Sequence, residues 1–146
     1  MNKSILILIV SIFFVFGGFG IVYAQTTYST QSNEEKAIED VSFRLDKESK
    51  ELGEAKKVEE GLKEKFNVND ARIDDLRNQK LGYGEIGTVF SFAEQMPGGI
   101  NDQNIQKIMN LRQAGENKEG WGKIAEKLGL KLQPAVKDMN EVYESL

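Results

Sequence analysis

Val68-Asn69-Asp70-Ala71-Arg72-Ile73 leads to Leu76-Arg77 and then to Gly82-Tyr83-Gly84-Glu85-Ile86. Further on, Ile100-Asn101-Asp102-Gln103-Asn104-Ile105 leads to Leu111-Arg112 and then to Gly120-Trp121-Gly122-Lys123-Ile124. Aligned, the two stretches read [V/I]-N-D-x-x-I, L-R, G-[Y/W]-G-x-I. The second copy carries three extra residues before its Leu-Arg and three more before its Gly-aromatic-Gly. So many matches in one order mark an internal repeat, and a repeat decides the architecture before any local feature does.

Each copy has the grammar of a helix-turn-helix unit. Asn69 and Asn101 are placed as N-caps, where the side-chain oxygen accepts an otherwise unpaired first-turn amide. Asp70 and Asp102 follow, beside the positive end of the helix dipole. In the first unit a helix to about Gln79 buries Ile73 and Leu76, and its partner, starting near Gly84, presents Ile86, Val89, Phe90, Ala93 and Met96. Pro97-Gly98-Gly99 ends that helix. In the second unit Ile105, Ile108, Met109 and Leu111 mark a helix over 102–114. Residues 115–120 form the loop and 121–128 the next helix, with Gly129 as its left-handed stop. Pro134 suits the first turn of a final helix lined by Val136, Met139, Tyr143 and Leu146.

Before the repeats, residues 34–66 read as one long amphipathic helix. Ile38, Val41, Leu45, Leu52, Ala55, Leu62 and Phe66 recur at spacings of three, four or seven and form one apolar stripe. Asp40 with Arg44, Asp46 with Lys50, and Glu59 with Lys63 stand in the favourable i,i+4 order, each pair worth only ~0.3 kcal/mol. A helix of this length also suits a coiled coil, but Glu48 and Glu59 interrupt the heptad, and Gly53 and Gly61 each weaken the interior by roughly 1 kcal/mol. The preferred arrangement folds the stripe back on the repeats, with a bend at a glycine as one way to do so. No segment keeps a period of two. The expected fold is all-α: a long N-terminal helix packed on two helix-turn-helix repeat units, plus a short C-terminal helix.

The chain starts with a targeting segment. Lys3 precedes an almost wholly apolar run over 5–19, and Val22-Tyr23-Ala24 suits signal-peptidase cleavage before Gln25. Residues 1–24 are therefore read as a signal peptide, 25–33 as a flexible spacer, 34–66 as the long helix and 67–146 as the duplicated domain. The competing reading is an uncleaved anchor, because the apolar character extends over about the 20 residues a spanning helix needs. Either way the domain is exported, periplasmic or secreted, and touches membrane only if the segment is retained.

The full chain of 146 residues has 19 basic and 23 acidic side chains, a net charge of −4. Loss of Lys3 leaves 18 against 23, a net charge of −5. This balance disfavours DNA, RNA and anionic lipid, all of which need clustered positive charge. Cysteine and histidine are absent. An exported domain without cysteine has no disulfides to hold it. Without histidine it lacks the commonest metal ligand and the usual base near neutral pH. No transition metal and no cofactor are expected. Carboxylates leave weak calcium binding open, although no calcium loop of the helix-loop-helix type is present.

The candidate site residues are Arg77, Tyr83, Glu85, Arg112 and Trp121. The glycine before Tyr83 or Trp121 is expected either to take a left-handed conformation or to permit a close helix approach. The aromatic then wedges between the helices of its unit, or lines a recognition groove. Glu85 is the weak candidate for a catalytic acid, set against its simpler use on free amides near a helix start. Arg77 and Arg112 either hold a carboxylate across the domain or cover apolar surface with their stems. Gly82-Tyr83-Gly84 follows no strand, so the nucleotide-loop motifs fail. Ile124-Ala125-Glu126-Lys127-Leu128-Gly129 resembles part of a DNA-binding helix-turn-helix. The small polar residues such proteins place next are missing here, so the likeness concerns local packing only.

Leu76-Arg77, Leu81 to Glu85, Pro97 to Ile100 and Gly120 to Gly129 together resemble a family of small exported bacterial all-helical proteins of unknown function. Its members carry L-R-x-x-x-L-G-Y-G-E, a P-G-G-I turn and G-W-G-x-I-A-x-x-L-G. The resemblance covers about residues 68–132 and implies an all-helical exported domain without any catalytic assignment. The leading functional reading is a non-enzymatic interaction module that binds a protein or envelope component. Its rivals are an oligomeric adaptor built through the long helix, a hydrolase acting on an envelope polymer through carboxylates, and a carrier for an apolar small molecule.

Overall fold

The computed structural model describes residues 22–51, 54–114 and 118–146. Residues 1–21 of the expected signal peptide over 1–24, Leu52 and Gly53 of the expected long helix, and residues 115–117 of the second loop lie outside the described residues. Among those described, seven helices and no strand occur: α1 (Val22–Glu51), α2 (Ala55–Phe66), α3 (Asp70–Asn78), α4 (Tyr83–Glu94), α5 (Asp102–Arg112), α6 (Trp121–Leu128) and α7 (Leu132–Glu144). The fold is all-α.

The N-terminal half differs from expectation in two ways. The single helix over 34–66 is two helices, α1 and α2, separated by the short interval before Ala55. Glu54, the N-cap of α2, has φ −94° and ψ 24° and makes no side-chain cap. Both halves of the amphipathic sequence turn their apolar stripe to the same neighbours, since α1 and α2 both pack on α4 and α7 and on each other. Residues 25–33, read as a spacer, continue α1 as helix.

The stripe itself is interior. Ile38, Val41, Leu45, Leu62 and Phe66 are buried, and Ala55 packs against the same core. Val58 joins them, a position the periodicity omitted. With this face inside the chain, Phe43 is the exposed large apolar side chain among the described residues, and a lone one is ordinary on a soluble surface. Beside local pairs such as Lys63 with Glu60, residues of the expected i,i+4 pairs make tertiary contacts. Arg44 donates to Asn140 and stacks over the Tyr143 ring, Asp46 meets Gly84, and Glu59 accepts from Tyr83.

At the centre lies α4, buried from Tyr83 to Ala93 except at half-buried Glu85. It packs on α1 and α7, with α2, α3 and α5 around it. Its polar side chains are satisfied within the interior, as burial requires. Thr88 donates to the Gly84 carbonyl at 2.9 Å, and Ser91 donates to Asp138 on α7 at 2.6 Å. Asp138 also meets Lys65 of α2 at 2.8 Å, so one carboxylate ties three helices together. Close approach of α1 to α4 is set by Gly84, where a Cβ would fall 2.6 Å from the Ser42 carbonyl oxygen.

The two hairpins, α3–α4 and α5–α6, start alike. Asn69 and Asn101 are extended N-caps whose side chains accept the amides of Arg72 at 3.0 Å and Asn104 at 2.9 Å. In α7 the buried positions are Leu132, Ala135, Met139 and Val142, while Val136, Tyr143 and Leu146 flank the core. No helix among the described residues is long and apolar enough to cross a membrane.

Candidate functional site

The two Gly-aromatic-Gly turns are built from matching parts. In the first, α3 ends and the chain turns through Leu81 into Gly82, the N-cap of α4. Arg77, in the last turn of α3, donates to the Leu81 carbonyl and lays its guanidinium 4.4 Å from the centre of the Tyr83 ring. In the second, Arg112 donates to the Glu119 carbonyl and sits 4.4 Å from the centre of the Trp121 ring. Each arginine thus bonds the residue just before the first glycine and stacks on the aromatic just after it. Such cation–ring contacts contribute about 0.5 to 2 kcal/mol according to their burial.

Neither glycine is left-handed. Gly82 has φ −70° and Gly120 φ −63°, both extended, which replaces one of the sequence expectations with the other, close approach. Asp46 and Glu35, both on α1, are what approach. A Cβ on Gly82 would lie 2.7 Å from Asp46 Oδ1 and nearer still to Oδ2, and one on Gly120 would overlap Glu35 Oε1. The Gly84 amide donates to Asp46 at 3.2 Å, and the Gly122 amide donates to Glu35 at 3.0 Å.

Both rings are interior, Tyr83 6% and Trp121 3% exposed. Trp121 meets Phe92 edge-on, with ring centres 5.5 Å apart at 85°. Tyr83 donates its hydroxyl to Glu59 of α2. Burial, with the Glu59 carboxylate beside it, pushes the phenol up to about 12. Both rings therefore pack inside the fold, against their own arginine and against a neighbouring helix.

No match emerges from comparison with known protein families, curated proteins or solved structures.

Four of the five candidate residues fall into two stacked pairs, and the fifth joins the units. Glu85 of the first unit meets Arg112 of the second at 3.3 Å and Lys118 at 2.8 Å. Its other oxygen stands 3.5 Å from the Gly82 amide, the outer limit of a capping bond. Burial alone would raise the Glu85 pKa; Lys118 and Arg112 outweigh it and hold the carboxyl below the usual glutamate range. An acid catalyst near neutral pH needs the opposite shift. Glu85 is an ionised tether, and its repeat counterpart Lys123 is exposed.

The Ser91–Asp138–Lys65 line has the residue types of a nucleophile with helpers, but Ser91 is 1% exposed and its hydroxyl points at a helix partner. A nucleophile must reach substrate; this one braces α4 on α7. Among the described residues, no three acidic groups cluster in a way that could hold a metal ion. An open groove of about 250 Å³ runs between α3 and α5, the first helices of the two units. Arg72, Asp75, Gln79, Asp102 and Gln106 line it with Leu76 and Ile105. Sequence reasoning missed this groove, as it missed Asp46 and Glu35. The available signal was that both N-cap positions carry glycine and so lack a capping oxygen of their own.

Proposed function

We propose that the mature chain is an exported helical interaction module without enzymatic turnover, and that it binds a protein or an envelope component. The observation that carries this reading is the state of Glu85, the one carboxylate the motif offers for catalysis. It is held ionised between Lys118 and Arg112 instead of being poised to give up a proton. Both aromatics and both arginines of the motif are likewise engaged inside the fold.

The partner-facing surface in this proposal is the groove between α3 and α5. Its rim carries amide, carboxylate and guanidinium groups, with Arg72 and Asp102 paired to each other, and its lining includes two aliphatic residues. This mixture suits recognition of a polar segment with a few apolar anchors.

The test is capture from the native envelope with tagged mature protein, beside a Gln79→Lys/Gln106→Lys variant that changes the groove, its folding checked by unfolding midpoint. Expected is a partner held by the parent and lost from the folded variant. Equal capture by both would move the interface elsewhere. Reproducible release of fragments from isolated envelope polymers, lost in Glu85→Gln, would replace the module with a hydrolase. Intact mass of the exported protein tests the assignment of residues 1–24, which should be missing if cleavage precedes Gln25.

A further inference from the structure

An N-cap residue ordinarily supplies a side-chain oxygen to the amide of the second or third helical residue. Glycine has none to supply. Yet α4 and α6 both begin after glycine, and in both the amide of the second helical residue is occupied by a carboxylate from α1. In both, a Cβ on the N-cap would fall on that carboxylate, so the missing side chain leaves the space that the visiting oxygen fills.

Asp46 and Glu35 are eleven residues apart, about three helical turns and about 16 Å along the axis, so they leave α1 in nearly the same direction. They flank the face that buries Ile38, Val41 and Leu45. One straight helix therefore presents one acid to each copy of a duplicated turn. A single such contact would be an isolated tertiary cap, but the same contact in both copies, each with a seated carboxylate, is a built feature.

We infer that Gly82-Tyr83-Gly84 and Gly120-Trp121-Gly122 are twin carboxylate-binding sockets, and that Asp46 and Glu35 are their ligands. Each socket consists of a helix-start amide, the positive end of a helix dipole and the side-chain-free space over its first glycine. The stacked arginine and ring shape the turn from behind. The inference concerns α1 and the repeats alone and stands independently of any external partner.

The test combines thermal unfolding with chemical rescue in Asp46→Ala, Glu35→Ala, Gly82→Ala and Gly120→Ala. Each variant is expected to lower Tm by about 5 °C. Formate, compared with chloride at equal ionic strength and with the parent protein, should restore part of the loss in Asp46→Ala and Glu35→Ala. It should restore none in Gly82→Ala or Gly120→Ala, where the new methyl group fills the socket. Losses should be non-additive within a socket, as in Asp46→Ala/Gly82→Ala, and additive between sockets, as in Asp46→Ala/Gly120→Ala. No formate effect beyond chloride in folded Asp46→Ala and Glu35→Ala, or additivity within a socket, would overturn the inference. If an alanine variant does not fold, Asp46→Asn and Glu35→Gln carry the same additivity test.

Discussion

Glu85 of α4 and Arg112 of α5 meet with Oε1 3.3 Å from Nη2, and Lys118 closes on the same oxygen at 2.8 Å. The pair joins residues at different places in the repeat, one just past the first Gly-aromatic-Gly and one at the end of the second unit's opening helix. It thereby joins α4 to α5 beside their direct packing.

Acid should loosen that joint. Because the folded state holds the Glu85 pKa below its ordinary value of 4.5, the stabilisation is present above that value and is lost as pH falls through the folded pKa. Glu85→Gln should cost about 1.5 to 3 kcal/mol at neutral pH, the range for a hydrogen bond to a charged group. It should also flatten the acid limb of a stability-versus-pH curve below about pH 5. Denaturant midpoints across that window measure both effects. A variant whose curve parallels the parent would show that the pair contributes nothing.

Trp121→Ala should cost about 3 to 5 kcal/mol. The ring is buried, meets Phe92 edge-on and carries the Arg112 guanidinium on its face, so truncation opens a cavity and unseats a charged neighbour. Urea unfolding gives the number. A loss within ~0.5 kcal/mol would mean that the ring is not packed as described.

The helix starts were legible because their signals are local. A cap such as Asn69 or Asn101 acts on an amide three residues away, so both hairpins could be read from a short window. The α6 helix, bounded by Gly120 and Gly129, was read to the residue for the same reason. The sockets were not legible, since Asp46 lies 38 residues from Gly84 and Glu35 lies 87 from Gly122. Local pairing rules gave Asp46 to Lys50, a partner worth too little to decide anything once a helix start is within reach. The end of α1 was legible only as a bend at a glycine, because the apolar stripe continues in phase from α1 into α2 even though the helix does not. The left-handed Asn67 that stops α2 was also overlooked, although Asn is the common substitute for glycine there.

Tyr83 should titrate late. Its pKa of about 12, raised by burial and by the Glu59 carboxylate, stands against an ordinary value of 10.0. The associated stabilisation is complete below pH 10 and disappears as pH rises through 12, because the folded state keeps a proton that the unfolded chain releases. An absorbance titration of the tyrosines should show one late step, absent in Tyr83→Phe. That variant should lose about 1 kcal/mol at neutral pH, the net worth of one hydrogen bond. A late step that survives the substitution would assign the shift to another tyrosine.

Lys80→Gly should stabilise the protein. Lys80 has φ 70°, the left-handed conformation that a side chain resists by roughly 1 to 2 kcal/mol. It holds that geometry because α3 ends in a paired-bond stop. The Lys80 amide donates to the Arg77 carbonyl at 2.9 Å, and the Leu81 amide donates to the Leu76 carbonyl at 3.3 Å. The same stop ends α6 with glycine at the left-handed position, Gly129 at φ 67°. Replacing Lys80 with glycine relieves the strain but frees the unfolded chain, which offsets part of the gain, leaving about 0.5 to 1 kcal/mol. The turn also delivers the Leu81 carbonyl to Arg77, so relief here should leave the Arg77–Tyr83 stack in place. The expected result is a higher urea midpoint at unchanged slope, with Gly129→Ala shifting the midpoint down by a similar amount. A lower midpoint for Lys80→Gly would mean that the lysine side chain contributes more at this turn than its backbone strain removes.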